Sequence, residues 1–254
     1  VVVGEWSTLR VFRFVNMECI EVTQQFFKTT YHGWWNTMKF SDLDRDGDLD
    51  LVVGNWGMNS QLRPAPGNPV TLYYGDFDGN GFIDPLLFYP ILGKSYPMAS
   101  RDEITDQMVS LRQRFPTYDS YADAQLEQIL DSTQINTAKK LYADFLHTVW
   151  FENTPAGMIM HRLPVQADFA PVYAIWTDDF DHDGNMDIFL GGNIEHARIK
   201  IGKVDANHGI LLKGNGKGDF EYVDQQKAGL NIKGCIRDII ETKAVGSKKT
   251  LMIG

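Results

Sequence analysis

The chain has little cysteine, no long apolar run and a shortage of positive charge. Only 2 of its 254 residues are cysteine, Cys19 and Cys235. One disulfide is the most they can form, and they would serve equally as two small buried hydrophobic residues. No apolar stretch approaches the ~20 residues that span a bilayer as a helix. Lys and Arg total 24 against 33 Asp and Glu, giving a formal net charge of −9. No basic run occurs, which argues against a nucleic-acid surface, since that needs a basic stripe. Enzyme signatures are missing too. None of the 6 histidines forms an HExxH pair, and there is no G-x-S-x-G elbow. "GNGKGDF" (214–220) lacks the Lys-Ser/Thr ending of a phosphate loop and reads as a β-turn. There is no signal peptide and no initiator Met. The chain opens on "VVVGEW" and closes on "TLMIG", both strand-like. It reads as a piece of a longer protein whose targeting signals would lie outside it.

What is present is glycine, aromatic residues and patterned aspartate. Aromatics make up 12% and hydrophobic residues 43%, with 23 glycines, which suits strands and tight turns around a sizeable core. "SDLDRDGDLDLVVGN" (41–55) places Asp42, Asp44, Asp46, Asp48 and Asp50 within nine positions. The template recurs as "DFDGNGFID" (76–84) and "DFDHDGNMD" (179–187). Oxygen side chains occupy positions 1, 3, 5 and 9, glycine occupies position 6, and an apolar residue position 8.

This pattern has the chemistry of a calcium loop. Ca²⁺ takes six to eight oxygen ligands at about 2.3–2.6 Å. Alternate positions of a curling loop point inward, so Asp42, Asp44 and Asp46 can converge, as can Asp76, Asp78 and Asn80, and Asp179, Asp181 and Asp183. Gly47, Gly81 and Gly184 permit the positive φ of the sharp turn. Position 7 (Asp48, Phe82, Asn185) can offer its carbonyl, which leaves the Asp48 carboxylate to solvent. Position 9 (Asp50, Asp84, Asp187) closes the shell. An EF-hand would carry Glu at position 12 between helices. Here position 12 is Val53, Leu87 and Leu190, within short apolar runs that read as strands. Three calcium sites of strand–loop–strand type are expected. Three ions would bring the net charge from −9 to −3, and metal binding would be linked to folding. Mg²⁺ suits the loops less well, because it keeps its waters and demands octahedral geometry.

Larger units surround the loops. "GWWNTMKF" (33–40) and "PVYAIWTD" (171–178) read as strands ahead of the first and third loops. "LRVFRFVNMECIEVT" (9–23), "HTVWFENTPAGMIMHRLP" (147–164) and "GILLKGNGKGDFEYV" (209–223) each read as strand, turn, strand. "CIRDIIETKAVGSKKTLMIG" (235–254) stands where another calcium loop would be, but only Asp238 survives, so no ion is expected there.

On these residues the chain resembles the FG-GAP/VCBS repeat of integrin-α-type β-propellers. It is similar to bacterial (Bacteroidetes-type) VCBS proteins related to the cartilage acidic protein and ASPIC/UnbV group. The resemblance implies an all-β propeller with calcium held in blade hairpins, in an exported, periplasmic or cell-surface protein that binds a protein or glycan ligand. Counted this way, one strand (1–6) precedes a unit ending near 55. A shortened unit (70–91), one ending near 193 and a last running to 254 follow. That is a partial ring of about four blades across 1–254. Its open ends would be covered by further blades or partner chains.

Residues 99–141 interrupt the strands and read as a helical insertion. "SRDE" (100–103) forms a capping box, and Ile104, Met108, Leu111 and Phe115 share one helical face up to Pro116. "SYADAQLEQIL" (120–130) predicts a second helix capped by Ser120. The insertion would carry function or cover a blade edge. His182, at position 4 of the third loop, is expected to face solvent. Trp56 and the stretch 92–100 are the candidate ligand contacts, with Trp56 equally suited to a core position. The resembled fold also includes calcium-stabilised polysaccharide lyases. Tyr73, Tyr74, Tyr96, Arg101 and His161 are available for such chemistry, but no spacing selects them. An enzyme is the weaker alternative to a binding or scaffold module.

Overall fold

The computed structural model describes residues 1–197, 201–243 and 249–254. Strands dominate, and the chain forms two compact units, one of residues 1–61 with 146–254 and the other of residues 62–145. The first unit begins with β1 (Glu5–Thr8), β2 (Phe12–Val15), β3 (Glu18–Glu21), the one-turn helix α1 (Thr23–Phe26), β4 (His32–Trp34), β5 (Thr37–Ser41) and β6 (Asp50–Gly54). The second unit holds β7 (Val70–Gly75), β8 (Asp84–Ile91) and β9 (Lys94–Pro97). Helices α2 (Arg101–Gln107), α3 (Leu111–Arg114), α4 (Tyr118–Ala122), α5 (Leu126–Ile129) and α6 (Ser132–Thr137) follow, then β10 (Lys139–Ala143). The first unit resumes with β11 (Val149–Thr154), β12 (Gly157–Arg162), a 3₁₀ turn at Val165–Asp168, β13 (Val172–Asp178) and β14 (Asp187–Gly192). It ends with β15 (Ile210–Gly214), β16 (Phe220–Val223), α7 (Gln225–Ala228), β17 (Ile239–Lys243) and β18 (Lys249–Ile253).

Among the described residues, three antiparallel four-stranded sheets form, ordered β12-β11-β6-β5, β13-β14-β15-β16 and β10-β7-β8-β9. Each contains one aspartate loop as the link of a hairpin: β5–β6, β13–β14 and β7–β8. In the first two sheets an outer hairpin, β11–β12 or β15–β16, adds beside the second strand of the loop hairpin. The β2–β3, β11–β12 and β15–β16 hairpins are each followed by a single helical turn. The all-β expectation holds in this coarse sense.

The unit boundaries differ from those read along the chain. The sheet holding the first loop does not end near residue 55, because its outer half is β11–β12, which follows the whole second unit. The unit of the second loop is not shortened to 70–91. It has four strands, and its last, β10, pairs with β7 from beyond the helices. Residues 139–141, expected within the insertion, are therefore strand. Residue pairs so far apart leave no local trace, so sequence periodicity finds the strands but not their sheets. The stretch 235–254 forms the β17–β18 hairpin, and the place of its loop, 244–248, lies outside the described residues.

The helical stretch is also broken differently. Ile104, Met108, Leu111 and Phe115 are all buried in one cluster with Phe77, Leu86 and Phe88, so the predicted apolar face is correct. It is split between α2 and α3, however, since α2 stops at Gln107. The second predicted helix is likewise two pieces, α4 and α5. Its cap is Thr117, with Ser120 completing the box three residues on. The Ser100–Glu103 box forms as expected, the Ser100 N–H donating to Glu103 Oε2 at 2.7 Å. The helices bury one face of the β7–β10 sheet, which accounts for the apolar spacing.

Two asparagines hold the ends of loop strands. Asn55 is fully buried and its Oδ1 accepts from the N–H groups of Trp34 (3.1 Å) and Trp56 (2.8 Å). Asn193 Nδ2 donates to the carbonyls of Asn207 (2.6 Å) and Gly234 (2.9 Å). The "GN" that closes both strand runs is thus a buried amide clamp between neighbouring segments. No helix among the described residues is long and apolar enough to cross a membrane.

Candidate metal centre

Each loop brings together the carboxylates of positions 1, 3 and 9. The groups are Asp42, Asp44 and Asp50; Asp76, Asp78 and Asp84; and Asp179, Asp181 and Asp187. Within each, one oxygen per residue lies within 4.8 Å of the others, close enough for one hard cation to bridge all three.

Position 9 is the anchor. Asp50, Asp84 and Asp187 are only 1%, 3% and 2% exposed. One oxygen of each accepts from the N–H of position 2, in Leu43 (2.9 Å), Phe77 (3.0 Å) and Phe180 (3.0 Å). The other oxygen is held from outside the loop, by Asn153 N–H (2.9 Å), the Gln107 side-chain amide (3.2 Å) and Gly214 N–H (2.9 Å). A buried carboxylate fixed at both oxygens closes the loop against its own sheet.

Position 1 folds the turn. Asp76 accepts from Asn80 and Gly81, and Asp179 from Asp183 and Gly184, in the same pattern and at 2.9–3.0 Å. In the first loop Asp42 accepts from Arg45 at 2.8 Å. Gly47, Gly81 and Gly184 have φ of 95°, 88° and 88°, as the turn requires. Position 4 is left-handed as well, with φ of 65° at Arg45, 75° at Gly79 and 62° at His182. Only Gly79 signals this in the sequence. His182 is exposed, as expected.

The remaining expected ligands behave differently. Asp46 and Asp183, at position 5, lie outside the three-carboxylate groups and accept from the N–H of position 7, each at 2.9 Å. Asn80 accepts from Phe82 in the same way at 2.8 Å. Position 7 side chains go three ways. Phe82 is exposed, and Asn185 accepts from Arg45 Nη1 at 3.2 Å, joining the first and third loops. The Asp48 carboxylate is left only in part to solvent: the residue is half-buried, and its Oδ1 is shielded and accepts no hydrogen bond. The eighth-position residues Leu49 and Ile83 are exposed, whereas Leu43 and Phe77 at position 2 are buried. In the third loop the order reverses: Phe180 is exposed and Met186 packs against the core.

Charge is left unbalanced in the first loop. Burial pushes the Asp50 carboxyl up to about 6, and burial also raises Asp44 and Asp187. The folded value of Asp50 exceeds its unfolded one, so the fold favours the protonated acid. Without metal, this group's contribution to stability is present below about pH 4 and lost as pH rises through about 6. Metal-stripped protein is therefore expected to melt at a lower temperature at pH 7 than at pH 5. The Asp50→Asn variant should flatten that slope; a melting temperature that rises from pH 5 to 7 would contradict the assignment.

The other candidates have structural places. Trp56 is only 9% exposed, its indole N–H donating to Ser60 and its ring meeting Trp34 edge-on at 5.0 Å. It packs as a core residue. In the 92–100 stretch, Leu92 at the tip of the β8–β9 hairpin is fully exposed. Arg101 donates to the Phe115 and Pro116 carbonyls and pairs with Asp102. His161 stacks on Trp150 at 4.5 Å and pairs with Glu152 at 2.7 Å. Tyr73 packs edge-on to Phe88. Tyr74 and Tyr96 are half-buried on β7 and β9. Cys19 and Cys235 are both free thiols. A polar clip that sequence reading missed ties the segment before β11 and the end of β12 to the 3₁₀ turn. His147 Nδ1 meets Asp168 at 2.5 Å while Arg162 donates to His147 Nε2 at 2.8 Å.

Neither family profiles, nor curated proteins, nor solved structures give any match to this chain.

Proposed function

We propose that the chain is a calcium-stapled β-scaffold, a propeller segment of the FG-GAP/VCBS kind. It would serve an exported or cell-surface protein whose exposed loops hold a protein or glycan ligand. One observation carries the metal reading. Three sheets each gather the same three carboxylates, with the ninth-position acid buried and fixed at both oxygens. An acidic surface turn has no reason to bury one member and repeat that arrangement. All-oxygen donors favour a hard cation, and the flexible loop suits calcium over the stricter octahedron of magnesium. The four-stranded antiparallel sheets support the propeller reading, each one blade. Millimolar calcium outside cells suits sites of modest affinity, which favours export. The exposed β8–β9 tip is the surface to offer ligands. Calorimetric titration of metal-stripped protein with calcium, and separately with magnesium, tests the reading. Calcium is expected to bind with clear preference; equal binding, or none, would sink it.

A further inference from the structure

The first and third loops face opposite charges from the same place. Asp50 Oδ1 accepts from Asn153 N–H, and Asp187 Oδ1 from Gly214 N–H, each at 2.9 Å. These bonds make Asn153 and Gly214 equivalent, so the residues before them are equivalent too: Glu152 and Lys213. Strand register agrees. Leu51 pairs with Phe151 and Ile188 with Leu212, which sets Glu152 and Lys213 one step on, across from Asp50 and Asp187. In the second loop the matching oxygen of Asp84 is met by the neutral amide of Gln107.

The consequences differ in sign. The Lys213 ammonium contacts Asp181 and lies 2.9 Å from Asp183, so a cation already sits on the carboxylates of the third loop. Glu152 adds a further negative charge near Asp44, with its carboxylate steadied by His161. Lys213 also lines an open cavity of about 580 Å³ with Asp181, Asp187 and Phe180, which leaves the ammonium room to swing aside.

We propose that this cross-strand position grades the three loops, with Glu152 making the first the tightest calcium site and Lys213 making the third a weak, readily vacated one. The inference rests on the loops binding calcium. Lys213 acts as a built-in counter-ion: an entering ion must displace it, and on leaving, the lysine neutralises the acids again. Occupancy of the third loop would then follow calcium concentration where the first stays filled.

Titration of the stripped full chain with calcium alone separates the possibilities. The weakest binding constant is expected to vanish in Asp181→Asn, which assigns it to the third loop. Lys213→Met should tighten that constant on the order of tenfold and leave the other two nearly unchanged. Glu152→Gln should weaken the tightest by a smaller factor. Lys213→Gln checks that the change follows the charge and not the methionine. Because Lys213 is half exposed, both variants should fold. A second readout is stability: stripped Lys213→Met should melt below stripped wild type, having lost its counter-ion. The proposal is overturned if Asp181→Asn spares the weakest constant, or if Lys213→Met leaves it in place. If wild type binds no calcium at all, the reading of the loops as calcium sites falls first, and this grading with it.

Discussion

Removing calcium is expected to lower the melting temperature of the first unit by roughly 10–20 °C. That unit carries two loops, the first and the third. At a calcium concentration about one hundred times Kd, each site adds about 2.7 kcal/mol of stability. Two sites give about 5 kcal/mol, and each kcal/mol moves the midpoint of a domain this size by about 2–4 °C. The cause is visible in the loops. Three carboxylates within 4.8 Å repel one another, and the buried ninth-position acid cannot turn away to relieve them. A bound cation would turn that repulsion into closure of the β5–β6 and β13–β14 hairpins. Scanning calorimetry with calcium and with excess chelator measures the gap. An unchanged midpoint would mean the loops are closed by their hydrogen bonds alone.

Asp50→Ala is expected to be the most damaging single substitution in the loops. It removes the acceptor for the Leu43 and Asn153 N–H groups at a site that is 1% exposed. The buried Leu43 N–H left unpaired costs about 1–3 kcal/mol and the part-buried Asn153 N–H less, so the loss is about 1–4 kcal/mol before any effect on metal. Asp46→Ala should cost far less, because Asp46 is exposed, lies outside the carboxylate group and accepts only from Asp48 N–H within its own loop. Chemical denaturation of both variants in chelator isolates this difference. Equal losses, or a larger one for Asp46→Ala, would show that the ninth position is not the anchor.

The loops were legible in the sequence because a tight turn closed on a buried ninth-position acid restricts residue type at fixed spacing. Positions 1, 3, 6 and 9 could be read directly. Position 4 could not, because Arg45 and His182 adopt a left-handed backbone without being glycine. Hairpins were legible from their turns and alternation, and β11–β12 and β15–β16 lie where they were expected. Sheet membership was not. Pairing of β6 with β11 spans the whole second unit, and no residue near residue 54 records it. The helical stretch shows how a period can be right while the element is wrong. Ile104, Met108, Leu111 and Phe115 share a buried face, but two short helices present it as well as one long one. Trp56 marks another limit. Its type suits a ligand platform and a core equally, and only the packing of Trp34 against it decides.

The most direct test of the account is a count of ions. Chain freed of metal and titrated by calorimetry to saturating calcium, with elemental analysis of protein kept at that saturating concentration, should give three calcium ions per chain, one for each group of three carboxylates. Finding none would contradict the central claim and reduce the three loops to acidic turns.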